Sequence, residues 1–481
     1  MGSENQKLHI FLFPFPAHGH MIPMVDMARL FVARGVGVTI VTTPLNLPLI
    51  SRTIGKQTPH NPNIIINLVP IKFPSVEAGL PEHCENADSI PSPSLIPNFF
   101  KAANMLQQPF EQLLLQHHPD CVITDVFFPW TTDSAAKFEI PRIVFHGTGS
   151  FALCAAECMR LYQPHKKVSS DSEPFVIPNL PGEITMTKLV MPEHIKNDED
   201  VEWTRMDKEW KEAELSSFGV VVNSFYELDG VYADHYKKVS GSKTWHIGPV
   251  SLCNRDLKGK ANRGKEASID EHECLKWLDS KKPNSVLYIC FGSVANFLES
   301  QLKEIAMGLE ASGQNFIWVM RKSQKDREEE WIPEGFEKRM EGKGLIIRGW
   351  APQVLILDHK AIGGFVTHCG WNSTLEAVSA GVPMVTWPVF ADQFYNEKFV
   401  TEVLRVGVPV GVKKYVEIVG DSVKKEAIEK AARRVIEGEE AEEMRNRAKK
   451  FAKMARQALD EKGSSYLDLT ALIQELECRC Y

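Results

Sequence analysis

Polar side chains that could hold a diphosphate gather in the stretch from Trp350 to Gln393. Asn372, Ser373 and Thr374 follow a short apolar run and a glycine, and they stand where an apolar helical pattern begins. The free N–H groups at the start of a helix and the positive end of its dipole bind anions such as a diphosphate. An ordinary capped helix is the alternative for this turn by itself, because Asn, Ser and Thr are also preferred N-cap residues.

The other side chains of this stretch offer contacts that a sugar nucleotide needs. Trp350 precedes a proline in a predicted loop, where its indole could stack on a flat base. Glu376 could accept hydrogen bonds from ribose hydroxyls, and His368 could add a phosphate donor. Asp392 and Gln393 follow the next predicted strand, at the carboxyl edge where open α/β sheets bind ligands. The two polar groups at that edge suit a sugar.

A second group of residues could move a proton. His20 stands at the start of a predicted helix, and we expect the helix dipole to lower its pKa and to favour the neutral, basic imidazole. Asp125 ends a predicted strand, and its carboxylate could fix the tautomer of a histidine. The alternatives are that His18 and His20 are polar loop residues and that Asp125 caps the next helix. Sequence spacing alone does not bring His20 and Asp125 together.

Alternating strand and helix patterns must position these residues at the edges of parallel sheets. In the first part of the chain we predict strands at 8–13, 36–43 and 121–124, and a helix that His20 opens and Gly35 ends. Farther on we predict strands at 285–291, 316–320, 345–348, 364–367, 384–387 and 406–410. The predicted helices there span 299–312, 394–404, 424–437, 440–462 and 467–476.

Size and composition exclude several classes of protein. A chain of 481 residues exceeds one ordinary core, so two domains are expected. The 43% hydrophobic and 24% charged residues are typical of a soluble globular protein. A net charge of −7 without a dominant basic block argues against nucleic acid as a partner. The polar residues 1–7 and the short apolar run after them are neither a signal peptide nor a membrane span.

The ten cysteines contain no CxxC pair. Cys154 and Cys158 are one helical turn apart without a second pair, and Cys478 and Cys480 lie at the tail. This spacing predicts reduced thiols, no metal site and a cytoplasmic location.

The stretch from Trp350 to Gln393 resembles the donor-binding box of the plant family-1 UDP-sugar-dependent glycosyltransferases, the enzymes of secondary products. The match continues without a gap, and the resemblance extends over the whole chain. It implies an α/β chain of GT-B architecture, with two Rossmann-like, doubly wound domains that face a cleft. It also implies inversion at the anomeric carbon, no metal requirement, and a UDP-sugar that serves as co-substrate rather than as a cofactor.

The resemblance assigns roles to individual residues. It implies that His20, in the GHxxP pattern, is the catalytic base and that Asp125 is its partner. The donor-binding residues that it implies are Ser293, Trp350, Ala351, Gln353, His368, Gly370, Trp371, Asn372, Ser373, Glu376, Asp392 and Gln393. Among them, the indole of Trp350 would stack on uracil and Glu376 would hold the ribose. The diphosphate would lie at the turn, and the sugar beside Asp392 and Gln393.

The donor and the acceptor follow less directly. Gln393 resembles the residue of glucose users, and the absence of Arg from the box favours a neutral hexose, so UDP-glucose is expected over UDP-galactose or UDP-glucuronate. The acceptor is expected to be a flavonoid or a triterpenoid or steroid aglycone, with another phenolic as the alternative. Aromatic residues near strand ends are candidate walls of its pocket, although they could equally be plain core: Phe15, Phe127, Phe128, Trp130 and Phe145.

The expected division of the chain is an acceptor-binding domain at 1–251, a polar linker at 252–273, a UDP-sugar-binding domain at 274–460 and a returning helix at 461–481. Residues 169–200 predict a surface loop with few anchors, and residues 322–330 a solvated charge run. A monomer is expected. Two rival functions remain: a nicotinamide-dependent oxidoreductase, disfavoured because no GxGxxG follows the first strand, and a silent sugar-nucleotide binder, disfavoured by His20 and Asp125.

Overall fold

The computed structural model describes residues 8–55, 66–197, 201–321 and 331–479. The predicted polar amino terminus, the charge run at 322–330 and Cys480 lie outside the described residues. Two parallel sheets, each flanked by helices, form the frame of the molecule. The α/β class and the two doubly wound units expected from the sequence are confirmed.

The first sheet has the strand order β3-β2-β1-β4-β5-β8-β9, with every pair parallel. The strands up to residue 246 are β1 His9–Phe13, β2 Gly37–Thr42, β3 Ile66–Pro70, β4 Cys121–Asp125, β5 Arg142–His146, β6 Phe175–Val176, β7 Thr185–Met186, β8 Gly219–Val222 and β9 Thr244–His246. The helices are α1 His18–Ala33, α2 Leu47–Ile54, α3 Ile96–Asn104, α4 Gln107–His117, α5 Thr131–Ala136, α6 Ser150–Tyr162, α7 Glu193–Lys196, α8 Glu202–Leu215 and α9 Tyr226–Ser240. Strands β6 and β7 pair only with each other, as an antiparallel hairpin.

The second sheet has the order β12-β11-β10-β13-β14-β15, again parallel throughout. Two helices of the connecting segment precede it, α10 Leu257–Ala261 and α11 Glu271–Asp279. Its strands are β10 Val286–Cys290, β11 Asn315–Met320, β12 Gly344–Arg348, β13 Ile362–Thr367, β14 Met384–Thr386 and β15 Gly407–Pro409. The remaining helices are α12 Glu299–Ser312, α13 Phe336–Arg339, α14 Gln353–Leu357, α15 Trp371–Ala380, α16 Gln393–Lys398, α17 Lys425–Glu437, α18 Ala441–Leu459 and α19 Ser464–Glu477.

The strand order reverses direction at one point in each sheet, and the predicted site residues cluster at these two points. In the first sheet the reversal lies between β1 and β4, where Phe13 pairs with Thr124. In the second it lies between β10 and β13, where Cys290 pairs with Thr367. Connections leave such neighbouring strands toward opposite faces, and the crevice between them is where open α/β sheets bind ligands.

The last helix of the chain packs on the first sheet rather than on the second. Leu469, Leu472 and Leu476 are buried in the same core as the side chains of α1 and β2. The guanidinium of Arg34 lies 3.5 Å from the ring centre of Tyr466, and its Nη1 donates to Thr470 Oγ1 at 2.9 Å. Helix α19 therefore connects the end of the chain to its beginning. The domain boundaries at 251, 273 and 460 stay a prediction.

Three predictions of local structure are corrected. Helix α1 begins at His18, two residues before the predicted start, so the turn that follows β1 is shorter. The predicted helix at 394–404 is helix α16 followed by a π-helical turn from Phe399 to Val403. The segment 169–197 is well anchored, because Ile177, Leu180 and other apolar residues of the segment are buried in the main core, which contradicts the prediction of few anchors. The Pro and Ser content of the segment predicts a loop, and its buried apolar residues follow no helical or strand period that would reveal them in the sequence.

Among the described residues, no helix combines the length and the apolar character that a membrane crossing needs.

Candidate functional site

The first part of the site is a histidine and an aspartate at the reversal point of the first sheet. His20 Nδ1 lies 2.6 Å from Asp125 Oδ2. Asp125 is fully buried, and its other oxygen accepts from the backbone N–H of Phe127 at 3.1 Å. Arg142 donates to the backbone oxygen of Asp125 at 3.0 Å. The carboxylate is therefore rigidly held, and it leaves Nε2 of His20 as the nitrogen that can accept a proton.

The expected direction of the His20 pKa is wrong. Burial by itself lowers the pKa of His20, but the charge of Asp125, its hydrogen bond and the charge of Asp392 together raise it above 6.5. The raising effect of the carboxylates on the His20 pKa exceeds the lowering effect of burial, because charge attraction is strong in a water-poor site. His20 is consequently a stronger base than burial alone would make it.

Aromatic rings surround the exposed side of His20. The ring centres of Phe15 and Phe127 lie 5.9 and 5.3 Å from that of His20. Phe100 of α3 and Trp210 of α8 extend this group, with the Trp210 ring 4.7 Å from Phe127. Sequence reasoning missed Phe100 and Trp210, because both lie on helices that it did not connect with the site. A cavity of about 570 Å³ between α3 and α8 continues outward from Phe100.

The other three candidate pocket residues differ in depth, since Phe128 and Phe145 are buried and Trp130 is half-buried. Phe128 is fully buried and stacks on Phe13 at 4.4 Å between ring centres, and Trp130 lies edge-on to Phe13 at 6.3 Å. Phe145 is fully buried in the core that contains α1 and α19. These placements favour the plain core role for Phe128 and Phe145, whereas Phe15 and Phe127 contact the histidine directly.

The second part of the site is the turn between β13 and α15. Gly370 precedes α15, and Ser293 lies half-buried in the turn after β10, the neighbouring strand. A Cβ on Gly292 or Gly370 would lie 2.7 or 2.5 Å from the His368 Nε2 atom, so only glycines allow the imidazole to lie there. Burial lowers the pKa of His368 to about 4, and its buried Nδ1 atom has no hydrogen-bond partner among the described residues. A neutral imidazole with an unused nitrogen suits a phosphate oxygen.

The nucleotide end of the site contains a residue that sequence reasoning missed. Arg263, from the segment before α11, donates from Nη1 to Glu376 Oε1 at 2.6 Å, and from Nη2 and Nε to Asp26 Oδ2 at 2.7 and 3.0 Å. The second Glu376 oxygen accepts from Gln353 at 2.8 Å. Burial opposes the charge of Arg263, but Asp26 and Glu376 raise its pKa above the ordinary value. The predicted ribose acceptor is therefore already held by a buried cation.

Trp350 lies against the same segment. Its Nε1 donates to the backbone oxygen of Arg263 at 3.1 Å, and its ring centre lies 5.1 Å from that of His18. Ala351, next in the chain, is buried, and its oxygen accepts from the N–H of Gln353 at 2.9 Å. The Gln353 amide also donates to Ser373 at 3.1 Å. Hydrogen bonds thus connect Trp350 and Arg263 with Glu376, Gln353 and Ser373.

The sugar end of the site lies opposite His20. Asp392 accepts from the Thr148 hydroxyl and from Asn396 at 2.9 Å, and burial raises its pKa. Gln393 is buried, and its side-chain oxygen accepts from the N–H groups of Val389 and Phe390 at 2.8 and 3.0 Å. That oxygen shapes the turn, so the amide nitrogen is what Gln393 has left for a ligand.

Two further residues of the predicted box join the sheets to each other. Trp371 is buried and donates from Nε1 to the backbone oxygen of Asn223 at 2.7 Å. Asn372 donates to the backbone oxygen of Gly19 at 2.5 Å, beside the histidine. A Cβ on Gly149 would lie 2.5 Å from the Trp371 ring, so the loop after β5 is pressed against the indole. The phosphate turn and the base therefore face one cleft.

Comparisons with known proteins give glycosyltransferases as relatives over nearly the whole chain. The family described as "Glycosyltransferase, N-terminal domain" matches residues 6–252, and the family described as "UDP-glucoronosyl and UDP-glucosyl transferase" matches residues 244–446. The chain is 59% identical to a scopoletin glucosyltransferase of Nicotiana tabacum, over 98% of each chain. It is 58% identical to UDP-glucose flavonoid 3-O-glucosyltransferase 7 of Fragaria ananassa, over 98% of this chain and 96% of the relative.

Two solved structures superimpose on nearly the whole chain. The crystal structure of Glycyrrhiza uralensis UGT73P12, complexed with glycyrrhetinic acid 3-O-monoglucuronide, superimposes with a TM-score of 0.91 at 41% identity, covering 98% of this chain and 96% of that one. Medicago truncatula UGT71G1, complexed with UDP-glucose, superimposes with a TM-score of 0.78 at 26% identity, covering 99% and 100%.

Proposed function

The chain belongs to the plant family-1 UDP-glycosyltransferases, and we propose that it moves glucose from UDP-glucose to a hydroxyl of a small phenolic acceptor, with inversion at the anomeric carbon. It is a UDP-glycosyltransferase of plant secondary metabolism with the GT-B fold. The observation that carries the finer proposal is the pair His20 and Asp125, 2.6 Å apart, which faces the phosphate turn and Asp392 across one cleft.

The reaction begins with proton removal. An acceptor hydroxyl beside Nε2 of His20 loses its proton to that nitrogen as its oxygen attacks the anomeric carbon. Asp125 holds Nδ1 and stabilises the imidazolium that forms, because it is buried and fixed by Phe127 N–H. Attack from the side of the base, opposite the diphosphate, inverts the configuration of the sugar.

Departure of UDP completes the step. The bond between the anomeric carbon and the diphosphate oxygen breaks, and its electron pair leaves with UDP. The growing charge meets the first N–H groups of α15, the Ser373 hydroxyl and the free nitrogen of His368. Donors that are already in place around a leaving group usually contribute more to the rate enhancement than any other single effect.

The donor proposal rests on the neutral character of the sugar end. Asp392 and Gln393 offer hydrogen bonds, and no Arg occurs between residues 350 and 393 to pair with a sugar carboxylate. UDP-glucose is also named for the Fragaria relative, which supports it as the donor here.

The acceptor proposal rests on the ring-lined side of His20. Phe15, Phe100, Phe127 and Trp210 form an apolar, ring-lined wall that suits an aromatic acceptor such as a flavonoid. The Nicotiana and Fragaria relatives are named for scopoletin and flavonoid, both flat phenolics. A triterpenoid aglycone is the second candidate, because the Glycyrrhiza structure holds a glycyrrhetinic acid glucuronide.

A donor-by-acceptor screen tests the proposal. The protein is incubated with each pair of one donor (UDP-glucose, UDP-galactose or UDP-glucuronate) and one acceptor (a flavonol, scopoletin or a triterpenoid aglycone), with and without EDTA. The anomeric configuration of each product is determined by NMR. We expect a β-glucoside from UDP-glucose and a phenolic, and loss of about 10²–10⁴ in kcat for His20→Ala. His83→Ala, at an exposed histidine, is the matched control.

Each other outcome corrects one part. An α-glucoside would overturn inversion, and turnover of UDP-galactose or UDP-glucuronate above UDP-glucose would overturn the donor. Glucosylation of the triterpenoid alone would overturn the phenolic acceptor. Near-normal turnover by His20→Ala would overturn the base.

A further inference from the structure

Two cysteines and a histidine meet behind the cleft, between α6 and α9. Cys154 and Cys158 lie one helical turn apart on α6, and His235 lies on α9. One ligand atom from each, two sulfurs and a ring nitrogen, lies within 4.8 Å of the other two. From this geometry we propose that Cys154, Cys158 and His235 form a zinc site that joins α6 to α9.

The spacing of the two cysteines suits a metal better than a disulfide. Residues at i and i+4 of a helix present their side chains on one face, with Cβ atoms about 5–6 Å apart. A disulfide needs Cβ atoms about 3.5–4.5 Å apart, so these two thiols cannot close one without unwinding α6. The same i, i+4 spacing is the one that supplies two zinc ligands from one helix in HExxH sites.

His235 supplies the partner that the sequence pattern did not reveal. Its Nε2 atom is buried and has no hydrogen-bond partner among the described residues. A buried ring nitrogen without a partner is uncommon, because it loses its bonds to water and gains none in exchange. The half-buried ring lets an ion enter from solvent, whereas both cysteines are 1% exposed.

Charge balance selects zinc among the soft metals. Thiolate and imidazole ligands bind Zn²⁺ and Cu⁺ well. Two thiolates neutralise Zn²⁺ completely but would leave Cu⁺ with a net negative charge, which costs free energy in a buried site. The nearby carboxylate of Glu157 is paired with Arg160 at 2.7 Å and with Lys211 at 3.3 Å, so its oxygens are already engaged and it is not counted as a ligand.

Zinc would need only a small contraction of the present geometry. Zn–S bonds of about 2.3 Å and Zn–N bonds of about 2.0 Å place tetrahedral ligand atoms about 3.5–3.8 Å apart, roughly 1 Å closer than the 4.8 Å limit met here. Binding releases the two thiol protons to the buffer, and the fourth position remains for water. Since α6 starts at Ser150, directly after the loop that contacts Trp371 and Asp392, the ion would support that loop from behind.

Cobalt and zinc titrations test the site on the full chain, reduced and stripped with chelator. Cobalt chloride is expected to give a thiolate-to-cobalt charge-transfer band that saturates at about one cobalt per chain and that zinc chloride abolishes. Zinc chloride is also expected to raise Tm, because an ion that binds only the folded chain stabilises it.

Single variants assign the ligands. Cys154→Ser, Cys158→Ser and His235→Asn should each weaken zinc more than about 100-fold, beyond the 10–100-fold that an outer-shell partner contributes. Cys274→Ser, at a lone buried cysteine of the same core, and His272→Asn, at an exposed histidine, are the matched controls and should bind as wild type does. His235→Asn alters a half-buried ring, so it keeps the test valid if Cys154→Ser and Cys158→Ser fail to fold.

Three outcomes would overturn the proposal: no charge-transfer band in the wild type, zinc and cobalt affinities in Cys154→Ser, Cys158→Ser or His235→Asn that equal those of the wild type, or a band that the Cys274→Ser control also loses.

Discussion

His20 shows how one residue can keep its predicted place while its predicted pKa changes direction. Burial of the ring lowers the pKa of His20, but two carboxylates outweigh that effect. Asp125 is bonded to Nδ1, and Asp392 reaches across the cleft from the second sheet. The base is therefore adjusted by residues from both sheets.

The raised pKa predicts a pH dependence of catalysis. A base must be unprotonated, so log kcat/KM should fall as pH drops through the His20 pKa, and this acid limb should lie above pH 6.5. Asp125→Asn removes the main raising charge, so the limb should move to lower pH while the plateau falls. The measurement is the pH profile of kcat/KM for both proteins. An unmoved limb would show that another group sets it.

At the scale of elements, the polar segment between the sheets is part of the site. Its Arg263 is bonded to Asp26 on α1 and to Glu376 on α15, and all three side chains are buried. The Arg263 side chain therefore orients Glu376, the predicted ribose acceptor. It also joins α1, which packs on the first sheet, to α15, which follows a strand of the second sheet.

Arg263→Leu should therefore affect stability and donor binding together. It leaves Asp26 buried without its cation, and breaking a buried pair in this way costs about 3–5 kcal/mol. We expect a lower Tm and a higher KM for UDP-glucose, measured by thermal unfolding and initial rates.

Lys260→Met is the matched control for Arg263→Leu, because Lys260 lies in the same segment as Arg263. Its Nζ lies 2.7 Å from Asp358 Oδ2, but both side chains of this pair are partly exposed. Such pairs contribute about 0–1 kcal/mol. Equal effects of the two variants would contradict the assigned role of Arg263.

At the scale of the whole molecule, the end of the chain stabilises its beginning. Helix α19 inserts three leucines into the core of the first sheet, and Asp468 accepts from the backbone N–H of His246 at 2.8 Å. Side chains of α19 therefore complete the core on one face of the first sheet.

Leu472→Ala should destabilise the chain by about 2–5 kcal/mol, since the side chain is fully buried and its loss leaves a cavity. Leu467→Ala on the same helix, where the side chain is 52% exposed, should stay within about 0.5 kcal/mol. Urea unfolding of both variants measures the difference. Similar values would mean that α19 contributes little to the core.

What the sequence by itself determined is local. Residues 350–393 predict a strand, a glycine turn and a helix with polar residues at its start, because periodicity and spacing within one βαβ unit govern those features. The resemblance to a known family covers the same motifs, and the order of strands and helices was predictable from the alternating pattern for the same reason.

What only the tertiary structure decided involves residues that are distant along the chain. His20 and Asp125 are 105 positions apart, and Arg263 and Glu376 are 113 apart. No periodic pattern connects such pairs, and the same holds for Phe100 with Trp210 and for His235 with the two cysteines. The direction of the His20 pKa shift was also decided by the tertiary structure, because it depends on burial and on the charges of Asp125 and Asp392, which only the fold places near the ring.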